Sequence, residues 1–153
     1  MNKCPSLDIA RLVPHRPPML LLDRIIETNS DHVIVETVIR EGSTFYQAGC
    51  GVPGLVGIEY MAQAAATLGG LQATQGGETP TVGYFLGTHK YYCSLTWFKA
   101  GDVLRVFCKQ KLRGDSPLSI FSCRIAILKS EVENVVAESE LKIYKSPAKS
   151  DEQ

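Results

Sequence analysis

The chain has 153 residues, in which 16 Lys and Arg balance 16 Asp and Glu, giving a formal net charge of zero and a pI near 6.8. That length suits one domain whose core needs neither metal nor disulfide support. Balanced charge speaks against a nucleic-acid or anionic-membrane surface, either of which needs an excess of Lys and Arg on one face. No apolar run reaches the roughly 18 residues of a membrane span, and Met1 to Asp8 lacks the apolar stretch of a secretion signal, so a soluble, cytoplasmic protein is expected.

In chain order, Ser6 to Val13 predicts a short helix with Ser6 as its N-cap, ended by Pro14. Pro14, Pro17 and Pro18 then hold the chain extended, because a residue before proline is biased away from the helical region. Met19 to Glu27 and His32 to Arg40 read as a strand pair around the turn Thr28 to Asp31. Residues 41–53 read as a loop punctuated by Gly42, Gly49, Gly51 and Pro53. From Gly54 to about Thr74 the pattern turns helical. Leu55, Ile58, Met61, Ala62, Ala65, Leu68 and Leu71 recur at three- and four-residue steps, and Gly76-Gly77 ends the run. Its other side carries Gly57, Ala64, Ala66 and Gly69, with Glu59 as its one acid, so the helix is expected to be nearly surrounded by protein.

Strands follow at Thr81 to Phe98, Val103 to Leu112, Ser119 to Lys129 and Val135 to Tyr144. Phe121, Cys123, Ile125 and Ile127 share one inward face, as do Val135, Ala137, Leu141 and Ile143. Short turns between consecutive strands imply an antiparallel sheet. A helix of roughly 30 Å is buried when such a sheet curls around it. The expected architecture is α+β, about six antiparallel strands wrapped on one central helix, in a single domain over 1–145 with a polar, disordered tail over 146–153.

Few residues offer chemistry. The five cysteines, Cys4, Cys50, Cys93, Cys108 and Cys123, are widely spaced without a C-x-x-C pair, so neither a disulfide framework nor a metal site is expected. Cys108 and Cys123 read as buried hydrophobes. Of the three histidines, His15 lies in a proline-held loop, His32 beside a turn, and His89 in a strand whose facing is undecided. Glu59 on a buried helix would have its pKa raised toward that of a general acid; as a first-turn residue favoured by the helix dipole it would point to water instead. Both readings stay open. Gly49 to Gly54 opens the helix, and free N–H groups there suit a carbonyl oxygen; the pattern is not that of a phosphate loop.

Together these residues resemble the hotdog-fold 3-hydroxyacyl-acyl carrier protein dehydratases, from about Leu7 to Tyr144. PHRPPMLLLDR (Pro14 to Arg24) resembles the N-terminal signature of the FabZ-type enzymes, GIEYMAQAAA (Gly57 to Ala66) their active-site helix, and YFLGTHKYYC with FKAGDVL (Tyr84 to Cys93, Phe98 to Leu104) the strand and turn that follow. FabZ-type enzymes carry a histidine in a Gly-His-Phe-Pro loop before the helix, and Ser43 to Pro53 has none. STFYQAGCGVPGLVGIEYMAQ is instead similar to the ApeP-type dehydratases of aryl polyene and related lipid pathways, which pair an N-terminal Pro-His motif with a helical Glu.

The resemblance implies elimination of water from a 3-hydroxyacyl thioester borne on acyl carrier protein or coenzyme A, without a cofactor, by a homodimer or higher homo-oligomer. Glu59 is then the acid or acid/base, with His15 as second group and His89 as its substitute. Gln63 orients Glu59 or the substrate, and Gly54 and its neighbours, Val52 among them, bind the thioester carbonyl. Arg11, Arg16, Lys90 and Lys99 are candidates for a basic patch facing an acidic carrier. A thioesterase, a non-catalytic acyl-binding protein and a partner subunit of a hetero-oligomeric dehydratase are the alternatives.

Overall fold

Two periodicities divide the chain between a sheet and a helix, and the computed structural model describes residues 7–78, 83–111 and 117–145 of it. The two-residue period gives the strands β1 (Arg24–Thr28), β2 (His32–Val38), β3 (Val52–Pro53), β4 (Gly83–Cys93), β5 (Trp97–Phe98), β6 (Val103–Gln110), β7 (Leu118–Lys129) and β8 (Val132–Lys145). The three- and four-residue period gives one helix, α1 (Gly57–Gln75). Six strands join in the order β1-β2-β6-β7-β8-β4, every neighbouring pair antiparallel, while β3 and β5 pair separately.

The inward positions of that sheet are the apolar ones. Val33 and Val35 of β2, Leu104, Val106 and Cys108 of β6, Phe121, Cys123 and Ile125 of β7, and Ala137, Leu141 and Ile143 of β8 are all buried. Against them α1 buries Met61, Ala64, Ala65, Leu68 and Leu71. Each large side chain removed from water in this way contributes on the order of 2 kcal/mol, and together they hold the curled sheet on the helix. The α+β, hotdog arrangement expected from the sequence is the one observed.

Several local expectations change. The N-terminal helix shrinks to a single 3-10 turn, Ile9–Arg11, capped by the Asp8 carboxylate, which accepts from the Ala10 amide at 3.0 Å; Ser6 lies outside the described residues, as does the tail 146–153. The first strand begins at Arg24 rather than Met19, because the Met19 and Leu20 amides donate to the Arg16 carbonyl instead of joining a ladder. Residues 54–56 form a 3-10 turn ahead of α1. The long strand expected to run to Phe98 stops at Cys93, and its last residues turn back as β5 to pair with β3, inside what reads as loop.

In β8 a register shift opposite Ile125 and Ala126 places Val136 and Ala137 both inward, so Val135 is exposed rather than in the core. The helix is also less enclosed than expected. Ile58, Glu59, Ala62, Ala66 and Gly69 form a half-buried stripe along it. No helix among the described residues is long and apolar enough to cross a membrane.

Where α1 meets the N-terminal segment, Gly70 permits the contact. A Cβ there would stand 2.2 Å from the Leu12 carbonyl oxygen, a backbone atom that cannot swing away. Gly70→Ala is therefore expected to destabilise the protein by about 1–3 kcal/mol, read as a lower urea midpoint. Gly42→Ala, at a site with open space, should leave the midpoint within error.

Candidate active site

The segment from Leu12 to Leu21 has few ladder hydrogen bonds of its own, so something else must fix it across α1. Gln63 does this. It is 0% exposed, and its amide is fully engaged: Oε1 accepts from the Leu21 amide at 2.9 Å, while Nε2 donates to the Met19 carbonyl at 2.7 Å and to Glu59 Oε1 at 3.0 Å. One side chain thus holds the loop and aims the carboxylate one turn earlier on the helix. Of the two roles read for Gln63, orientation of Glu59 is the one its geometry serves. The Arg16 guanidinium clamps the same loop by donating to the Val13 and His15 carbonyls at 3.0 and 2.8 Å.

His15 reaches Glu59 from that loop. Its Nε2 stands 3.7 Å from Glu59 Oε1, a separation for ion pairing rather than a direct hydrogen bond. Its Nδ1 is buried without a hydrogen-bond partner among the described residues. Both side chains open on a narrow cleft of about 140 Å³, with Leu12, Pro14, Ala62, Ala66 and Phe85 among its walls. Glu59 is not desolvated as a buried helix would require: its side chain is 39% exposed in the single chain. A carboxylate and an imidazole sharing one mostly apolar cleft can give and take protons on neighbouring atoms of a bound molecule.

The other candidates sit elsewhere. The Gly54 amide donates to the Thr96 carbonyl at 2.9 Å, and the Gly54 carbonyl accepts from the Tyr91 hydroxyl at 2.6 Å. Gly54 therefore has no free N–H for a substrate carbonyl. Val52 is fully buried and paired with Phe98. Both residues fasten the start of the helix, where the 3-10 turn Gly54–Val56 leaves the Leu55 amide without an intrahelical acceptor. His89 is exposed on β4 opposite Glu140 and lines a separate groove of about 660 Å³ with His32, Lys109 and Arg124. The structure brings His15 to Glu59 and leaves His89 out.

His32 ion-pairs with Glu27 at 3.1 Å and Asp31 at 3.5 Å on the surface, Cys50 is exposed, and Cys108 and Cys123 are buried as expected. No cluster of metal-ligating side chains occurs among the described residues.

Tyr60 in the first turn of α1 and Tyr91 on β4 lie beside the helix start, and no pattern of spacing in the sequence distinguishes them. Burial, with Asp23 adding, pushes the Tyr60 hydroxyl up to about 12. Burial and then Cys93 raise Tyr91 further above its ordinary value. Both hydroxyls stay protonated at neutral pH, and Tyr91 serves as the donor that pins Gly54.

The family model for ApeP-like proteins, described as ApeP dehydratase, matches residues 7–153. A 3-hydroxyacyl-[acyl-carrier-protein] dehydratase FabZ from Syntrophotalea carbinolica is 34% identical over 150 residues, covering 95% of this chain and 97% of that protein. A chain of the dehydratase heterocomplex ApeI:P from Xenorhabdus doucetiae superposes with a TM-score of 0.85 at 25% identity, covering 94% of each chain. A hypothetical thioesterase with coenzyme A from Streptococcus pneumoniae, at 15% identity, TM-score 0.62, and 80% and 84% coverage, shares the fold.

Gln63→Leu keeps the volume and removes all three hydrogen bonds, leaving the Leu21 amide and Met19 carbonyl unsatisfied. A loss of about 2–4 kcal/mol is expected, measured by chemical denaturation, and proteolysis should cut first within Leu12 to Leu21.

Proposed function

The chain belongs to the ApeP-like dehydratase family, and we propose on that footing that it eliminates water from a 3-hydroxyacyl thioester to give the trans-2-enoyl thioester. The approach of His15 Nε2 to Glu59 Oε1, 3.7 Å apart in a cleft with apolar walls, carries this reading. The reaction needs a base for the C2 proton and an acid for the C3 hydroxyl. His15 accepts the C2 proton, Glu59 protonates the departing hydroxyl, and the C3–O bond breaks as the C2–C3 double bond forms, releasing water. Negative charge that develops on the thioester oxygen is met by backbone N–H groups. Because Gly54 is engaged, that role moves to the Leu55 amide at the helix start. The Gln63 contact keeps one carboxylate oxygen fixed through the cycle, which limits the reorganisation the transition state requires.

The likeness to FabZ supports an acyl carrier protein thioester as substrate, in fatty-acid or aryl polyene synthesis in the cytoplasm. The edge of the sheet supports an oligomer. Among the described residues β4 has no neighbour on its outer side, and it exposes Tyr84, Phe85 and Leu86. An apolar edge with unpaired backbone groups is a template for another strand, here the same edge of a second copy. The heterocomplex among the solved relatives supports a second occupant, a different chain of the same fold.

Incubation with a 3-hydroxyacyl carrier thioester, following enoyl absorbance and free thiol, tests the reaction. Enoyl formation without thiol release is expected, and Glu59→Gln and His15→Ala should each lower kcat about 10²–10⁴-fold. Thiol release without enoyl formation would establish a thioesterase instead. In size-exclusion chromatography the protein should elute as a dimer and Leu86→Asp as a folded monomer. A monomeric wild type would favour the heteromeric reading, tested by adding a second hotdog chain.

A further inference from the structure

Beyond the His15–Glu59 pair, the cleft continues along the half-buried face of α1 past Ala62, Ala66 and Gly69 and reaches Lys145 on β8. A Cβ placed on Gly69 would lie 3.4 Å from Lys145 Nζ and 3.5 Å from its Cε. The ammonium group therefore lies against the helix instead of extending freely into water. Glu59 and Gly69 are ten residues apart, so at 1.5 Å of rise per residue the cation stands roughly 15 Å along the cleft from the carboxylate.

Much of the wall between them is apolar, from Ala62, Ala65, Ala66, Phe85, Phe121 and Ile143. Among the described residues, no carboxylate lies within ion-pairing distance of Lys145; the nearby Glu140 of β8 pairs with Lys111 instead. The ammonium of the half-buried Lys145 thus stands at the end of an apolar wall, placed to meet an acceptor that a ligand in the cleft would bring.

We propose that Lys145 is a substrate-binding residue that holds an anionic or strongly hydrogen-bond-accepting oxygen of the substrate, roughly 15 Å from the reacting carbons. This rests on the dehydratase reading only in taking the cleft to be the substrate's. Two parts of a carrier-borne acyl thioester bring such an oxygen to that distance. One is the far end of an acyl chain that terminates in a carboxylate or hydroxyl group; the other is the phosphate of the carrier's pantetheine arm. Either makes Lys145 a specificity determinant: it discriminates by what stands at the end of the cleft and leaves the proton transfers to His15 and Glu59.

Four non-reactive S-alkyl pantetheine thioethers of equal chain length separate the sources: with and without the phosphate, each with a methyl-ended or a carboxylate-ended chain. Binding is measured by calorimetry to wild type, Lys145→Met and Lys145→Arg. Lys145→Met is expected to weaken binding at least tenfold for the oxygen-bearing ligands of one series and to leave the ligand lacking both groups unchanged, with Lys145→Arg close to wild type. A penalty that follows the phosphate assigns the carrier arm, and one that follows the chain end assigns the acyl tail. Equal weakening of all four ligands, no weakening of any, or no binding by wild type overturns the proposal. The readout is independent of turnover: a wild type that binds the ligands with this pattern yet forms no enoyl product overturns the dehydratase reading and leaves Lys145 in place.

Discussion

The buried amide of Gln63 is the interaction on which the site depends. Its three hydrogen bonds join the Met19–Leu21 backbone, the Glu59 carboxylate and the middle of α1. None of these is strong alone. The two backbone bonds, made to a side chain that is fully buried, become expensive to lose, because the groups left behind would face the apolar interior. The proline-rich loop before Met19 makes no sheet ladder; Arg16 braces it internally, and Gln63 ties its far end to the helix, which sets the distance of His15 from Glu59. The same contact limits the carboxylate to one orientation. Position of the imidazole and aim of the acid are thus two results of one constraint.

That constraint works because α1 is fixed on its other sides. The sheet buries Met61, Leu68 and Leu71 from one direction, and the β3–β5 pair, with the Tyr91 hydroxyl on the Gly54 carbonyl, anchors the start of the helix. A rigid helix carries the carboxylate and a clamped loop carries the imidazole, an arrangement that holds the two side chains more exactly than two loops would. The sheet face away from the helix has a different chemistry. There Arg24 and Arg105 converge on the buried carboxylate of Glu36, and Arg124 stacks over Phe107 at 4.1 Å. His89 belongs to that side, which is why it takes no part near Glu59.

Much of this is legible in the residues. The helix, the sheet order's raw material and the Glu59–Gln63 spacing follow from periodicity, and His15 follows from a motif that matches a family. What stays hidden depends on pairings between distant segments. Engagement of the Gly54 amide comes from Thr96, in a turn that sequence reading extends as strand. The facing of His89 is set by irregular register on β4 on both sides of it, with Lys90 at a positive φ of 52°, and simple alternation cannot survive two such shifts. Val136 is inward for the same reason. Exposure of Glu59 is a matter of what covers the helix stripe, and one chain's periodicity does not report it.

The stripe of Ala62, Ala66 and Gly69 has a consequence of its own. These positions succeed one another by about a turn, roughly 5–6 Å of cleft at a time, and each is small. A larger side chain at any one of them would close the cleft at that depth and leave the imidazole and carboxylate untouched. The helix therefore acts as a graduated ruler with removable stops, so the length of ligand the cleft admits can change in steps of about a turn while the His15–Glu59 end stays constant.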